Sequence, residues 1–176
     1  MLTYLFVLLA VAVRFMPHPW TFTPVAASLL FFGARGSRRQ MWVPLVLMAA
    51  SDVMLTKVVY ANPFSWDYVV TWAWYAAILW LGTTLRTNAK PRRMIGAALA
   101  SSVSFFLVSN FMVWATGTMY PKNFGGLMMS YTLALPFFRN AVEGDLFFTA
   151  AMFATPVVLH ALTGTLPKET DHRAAA

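Results

Sequence analysis

Seven of the 13 Lys and Arg residues of this chain gather in two short polar gaps between long apolar runs, and that arrangement restricts the fold more than any other feature. Arg35, Arg38 and Arg39 form one cluster; Arg86, Lys90, Arg92 and Arg93 form the other. With 59% hydrophobic residues, 11% charged residues and a mean hydropathy of +0.62, the chain is not an ordinary soluble domain. In such a chain, clustered Lys and Arg mark loops held in the cytoplasm. The net charge of +7 is therefore read as membrane topology, and no nucleic-acid partner is expected.

Six transmembrane helices are expected, making an all-α polytopic membrane protein with both termini cytoplasmic. The first run covers about 2–16 and stops at Pro17-His18-Pro19, where two prolines forbid further helix. It lacks the basic start and the cleavage site of a signal peptide, so it is read as a mature helix. A short second helix opens at Thr23-Pro24 and runs to 32; a third covers 41–59. The turn Tyr60-Ala61-Asn62-Pro63 leads to a fourth at 67–85, with Asp67 as its N-cap. The fifth, 94–116, ends at Gly117 and carries Gly96, Ala100 and Ser104 on one stripe where a helix can approach. From 118 to 140 the prolines and glycines predict a loop holding a short, partly inserted helix at 127–135. The sixth helix follows at 141–162, bent at Pro156. Residues 1–166 form one domain in this reading, and 167–176 a disordered cytoplasmic tail.

Four ionisable side chains, Arg14, Asp52, Arg139 and Asp145, lie in or beside the apolar runs. A charge at the centre of a bilayer costs roughly 2.5 to 3.5 kcal/mol even on lenient scales, so such groups face a protein interior or a wet cavity. With both basic loops inside, Arg14, His18 and Phe22 fall at the outer end of the first hairpin. Asn110 and Trp114 fall at the outer end of the fifth helix, and Arg139, Asn140 and Asp145 at the outer start of the sixth. Asp52 sits near mid-membrane. These positions predict an outward-facing polar pocket.

Each residue also has a structural reading. Arg14 and Asp52 can pair with each other, Asn140-x-x-Glu143 resembles a capping box, and Asp145 lies near a helix N-terminus. Lys57 can snorkel to the interface, and His18 can be a plain loop residue. Trp66, Tyr68, Trp72, Trp74 and Tyr75 suit an interfacial belt, with one or two left to line a pocket. The absence of cysteine excludes disulfides and thiolate sites, His160 and His172 are far from His18, and the 11 methionines are dispersed. No metal site or cofactor is expected.

Several strings recur in order: Arg14-x-x-Pro17-His18-Pro19-x-x-Phe22-Thr23-Pro24, Ser51-Asp52, Ser109-Asn110-Phe111-x-x-Trp114, Tyr120-Pro121-Lys122, Pro136-Phe137-Phe138-Arg139-Asn140 and Gly144-Asp145. Together they resemble a family of small, uncharacterised bacterial membrane proteins (DUF6580-like) described as transport proteins. More distantly, the layout resembles the substrate-binding S components of energy-coupling factor (ECF) vitamin importers, including the solitary cobalamin-transport type. That resemblance implies a six-helix bundle in the bacterial cytoplasmic membrane with a vitamin-sized pocket near the outer face. By position it makes Arg14, His18, Phe22, Asp52, Asn110, Trp114, Tyr120, Arg139, Asn140 and Asp145 pocket or gate residues. It also implies an ECF-type coupling subunit as partner, yet the first helix offers Ala10 and Ala12 without the Ala-x-x-x-Ala spacing used for docking. A thiolate contact to cobalt is impossible without cysteine.

The leading expectation is a transport protein that captures a small polar or vitamin-like metabolite from outside and moves it inward. Arginines would hold carboxylate or phosphate groups, and aromatic rings would stack on the ligand. One alternative is a structural or assembly protein whose charges pair helices. Another is an intramembrane enzyme using Asp52 and Asp145; no His-Glu-x-x-His, Gly-x-Ser-x-Gly or phosphate loop accompanies them, so the chain is not expected to be an enzyme.

Overall fold

The computed structural model describes residues 1–17, 21–61 and 67–164. Among these the chain is helical without strands: α1 (Leu2–Val13), α2 (Val25–Arg35), α3 (Trp42–Met54), α4 (Asp67–Thr83), α5 (Pro91–Thr116) and α6 (Phe124–Gly164). A short 3-10 turn, Arg38–Gln40, leads into α3, and a π turn, Leu55–Val59, extends it. Among the described residues three stretches are long and apolar enough to cross a membrane: Arg38–Val59, Pro91–Thr116 and Phe124–Gly164. His18, Trp66, the Asn62-Pro63 turn and the tail from 167 lie outside the described residues, as does the side chain of Asp67.

α2 is the axis of the bundle. Every residue from Ala26 to Ala34 is buried, against α1, α4, α5 and α6. A helix apolar on all sides has no face to give to water, and VAASLLFFGA carries no charge before Arg35. Its hydroxyl, on Ser28, turns back to the Val25 carbonyl at 2.8 Å, so the polar side chain of α2 is satisfied within its own helix. Edge-to-face ring contacts join it to its neighbours: Phe31 meets Phe6 at 5.0 Å and Phe153 at 5.1 Å, and Tyr4 meets Phe32 at 5.2 Å.

α2 and α4 approach each other backbone against backbone. A Cβ built on Gly33 would lie 2.2 Å from the Leu79 carbonyl oxygen, and one on Gly82 would lie 2.4 Å from that of Leu30. No side chain fits between them. Just beyond, Arg86 reaches back from the end of α4: Nε donates to the Gly33 carbonyl and Nη2 to the Gly36 carbonyl, both at 2.7 Å. These are the open carbonyls of the α2 C-terminus, where a cation also suits the helix dipole. One arginine of the basic loops is thus a helix cap.

α1 ends earlier than the apolar pattern predicts. Arg14, Phe15 and Met16 bond three residues back, at 3.2, 3.1 and 3.1 Å, tightening the last turn before Pro17. The larger difference is α6, which runs without a break from Phe124 to Gly164, through Pro136, where a loop holding only a short helix at 127–135 is predicted as far as Asn140. Each of its prolines, Pro136 and Pro156, removes one intrahelical bond, a cost of about 3 kcal/mol that packing can offset. Here α6 lies along α5 in an antiparallel hairpin. Tyr131 donates to the Leu107 carbonyl (2.9 Å), Phe138 stacks on Phe106 (4.6 Å), and Ser102 bonds Asp145 (2.6 Å). Gly126 is needed where the turn closes: a Cβ there would sit 2.0 Å from the Pro121 carbonyl oxygen. At 41 residues α6 is about 60 Å long, so even a tilt of about 40° leaves its ends beyond a ~30 Å hydrocarbon layer.

Candidate functional site

Arg14 emerges from the end of α1 against α3 and pairs with Asp52, while its Nη1 donates to Ser51 Oγ at 2.6 Å. Asp52 is only 4% exposed. Two further donors reach it from α4: Trp72 Nε1 at 3.0 Å on Oδ2 and the Tyr75 hydroxyl at 3.3 Å on Oδ1. Trp72 and Tyr75 are three residues apart and so share a helix face. With one cation and two neutral donors, the Asp52 carboxylate is well satisfied, and the pair is neutral as a unit.

Immediately after Asp52, α3 widens into its π turn, where the Tyr60 amide bonds five residues back to Leu55 at 2.9 Å. Such turns are frequent at functional sites because they re-aim side chains on an otherwise regular helix. Here the turn carries Leu55 and Val59 into the wall of a cavity of about 610 Å³, which Arg14, Pro17, Thr21 and Tyr60 also line.

Two smaller cavities adjoin one another between the helices, sharing Thr21, Ser102, Phe105 and Ala141. One, of about 210 Å³, is lined also by Arg14, Thr23, Trp74, Tyr75 and Asp145. The other, of about 230 Å³, is lined by Phe106, Ser109, Asn110, Phe137 and Phe138. Thr21 borders all three spaces with a φ of 65°, a strained conformation for a β-branched residue, and its hydroxyl bonds the Phe137 carbonyl at 2.5 Å.

Asp145 is 8% exposed and its Oδ2 lies 2.6 Å from Ser102 Oγ. Among the described residues no cation comes within ion-pair distance of it. Gly144 lets the 21–23 loop lie flat on α6: a Cβ there would be 3.3 Å from Phe22 Cα. Phe22 itself stacks on Phe148 (5.3 Å) and Phe147 (6.2 Å), fastening that loop to α6.

The other predicted residues divide. Asn110 lines the second cavity while donating to its own helix at Phe106 (2.8 Å). Arg139 pairs with Glu143 at 2.8 Å, with side chains 80% and 53% exposed, on the outside of α6. Asn140 is half-buried beside it. Trp114 and Tyr120 belong to the α5–α6 turn, where Trp114 Nε1 donates to the Pro121 carbonyl (2.9 Å) and Lys122 bonds the carbonyls of Trp114 and Gly117. Gly96 and Ala100 are exposed, and Ser104 accepts a hydrogen bond from Trp74 (3.0 Å). Among the described residues no group of three or more metal-ligating side chains gathers.

Sequence reasoning gave no weight to Ser102 or Thr21, and left Trp72 and Tyr75 in an aromatic belt. The i, i+3 spacing of Trp72 and Tyr75 was the available signal. Ser102 gave none, since a hydroxyl among small residues acquires a role only when a partner helix supplies one.

The model of a family of unknown function, DUF6580, matches residues 1–166. No curated protein and no solved structure matches the chain.

Proposed function

The chain belongs to the DUF6580 family, and we propose that it is a membrane transport protein: it binds a small polar or vitamin-like metabolite in an outward-facing pocket and moves it inward. The observation that carries this reading is the placement of Arg14 and Asp145 on the wall of one aromatic-lined cavity inside an apolar bundle. Buried ionisable groups in membrane segments mark substrate and ion pathways, and pockets of this type fix a ligand with few polar groups among many apolar ones. The proposed frame is six spans with both termini in the cytoplasm of a bacterium, as in ECF S components. Arg14 borders both this inner cavity and the one of about 610 Å³, so rearrangement of the 21–23 loop is the proposed route between them. Catalysis has no part in this reading.

A thermal-shift screen of detergent-purified protein against vitamins, precursors and small metabolites tests it, since a ligand that binds the folded state raises the melting temperature. The expected hit is lost in Asp145→Asn and reproduces as uptake into proteoliposomes. A helix-pairing scaffold is the second reading, favoured by the fully satisfied Arg14–Asp52 pair. It predicts no hit, with Asp52→Asn losing stability alone.

A further inference from the structure

We propose that the ligand of the inner cavity carries a cationic nitrogen, and that Asp145 is the group that receives it. This assignment rests on the ligand-capture reading above and reverses the expectation that arginines hold an anionic substrate.

The charges decide it. Arg14 is already neutralised by Asp52 and oriented by Ser51, so it has little to offer a second carboxylate. Arg139 is engaged with Glu143 on the exposed side of α6 and lines none of the cavities described above. The carboxyl group on the cavity wall is that of Asp145. An ionised carboxylate has about four acceptor positions, and among the described residues Asp145 finds a single donor, the Ser102 hydroxyl. Even that donor is shared, because Ser102 Oγ also lies 3.2 Å from the Ala98 carbonyl and has one hydrogen for both. A carboxylate so placed is costly unless a cation or a proton reaches it.

The surroundings suit a cation. Trp74, Tyr75 and Phe105 line the same space as Asp145, and ring faces attract ammonium groups while accommodating an apolar body. One turn along α6, Thr149 Oγ1 is buried without a partner among the described residues, so the shortage of hydrogen bonds on this face of the helix is not confined to Asp145. With about 210 Å³ beside Asp145 and about 230 Å³ adjoining, the fitting ligand is one amine on a compact, partly apolar skeleton.

The test is calorimetric titration of the purified full-length protein with three probes of one skeleton: phenethylammonium, 2-phenylethanol and 3-phenylpropionate. The expected result is saturable binding in which the ammonium exceeds the alcohol and the carboxylate by about tenfold or more, the scale of one charge-assisted hydrogen bond. Asp145→Asn should bring ammonium and alcohol to similar affinity, and Phe105→Leu should weaken all three. The wild-type ranking stands as a test even if the Asp145 variant does not fold. Binding led by the carboxylate, or an ammonium preference unchanged in Asp145→Asn, would overturn the cation assignment and leave ligand capture intact. Failure of all three probes to bind would overturn both.

Discussion

Trp72 Nε1 donates to Asp52 Oδ2 at 3.0 Å while Arg14 holds the other oxygen, so α1, α3 and α4 meet at one carboxylate. Removing the cation would leave a buried negative charge with only neutral donors. Arg14→Ala is therefore expected to lower stability by about 3 kcal/mol, and Arg14→Met combined with Asp52→Leu by much less. Denaturant titration of the single and double variants in one detergent would check this. Additive losses would mean that the two side chains do not share a term.

At the α2–α4 crossing, Gly33→Ala and Gly82→Ala should each cost about 2 kcal/mol or more, because the intruding methyl meets backbone and cannot be relieved by a rotamer change. Gly96 is the control, with nothing within 4 Å of a new Cβ. Gly96→Ala should be neutral or gain up to about 1 kcal/mol from helix propensity. Melting temperatures of the three variants would rank them.

Arg86→Ala removes two hydrogen bonds from the α2 C-terminus and is predicted to cost about 2 kcal/mol. Arg86→Lys should recover only part of this, since an ammonium lacks the fork that spans both carbonyls. Arg92→Ala, on the exposed first turn of α5, should change stability by less than about 0.5 kcal/mol. Equal losses at Arg86 and Arg92 in thermal unfolding would contradict the capping role.

Adjacent glycines in the α5–α6 turn should behave differently. Gly126→Ala forces a methyl against the Pro121 carbonyl and should destabilise the hairpin by about 2 kcal/mol. Gly125→Ala meets only Asn123 Oδ1, at 3.4 Å, and should be tolerated. Hydrogen exchange of the 124–130 amides would report the difference locally.

The fold was legible wherever apolar runs met clear stops. The fifth helix read as 94–116 is α5, Pro91–Thr116, with Pro91 at its start and Gly117 beyond its end. The first part of α6 was legible only as a short helix at 127–135, for a physical reason: Gly125, Gly126 and Pro136 read locally as breakers, while contacts to α5 hold one continuous helix together. For the site, Arg14 and Asp52 stood out because charge in an apolar run is conspicuous, and their pairing was one of two open readings. The structure brings Arg14 and Asp145 to one cavity and Asn110 to its neighbour. It turns Arg139 outward, which one sequence position cannot reveal without the helix phase.

The contact of Gly33 with Gly82 limits how this bundle can rearrange. Two smooth backbones pressed together can rotate about their point of contact, but sliding along either axis would drive the Leu30 and Leu79 carbonyls against the bulkier residues flanking each glycine. Any relative motion of α2 and α4 that kept this contact would therefore be a rocking about it rather than a slide.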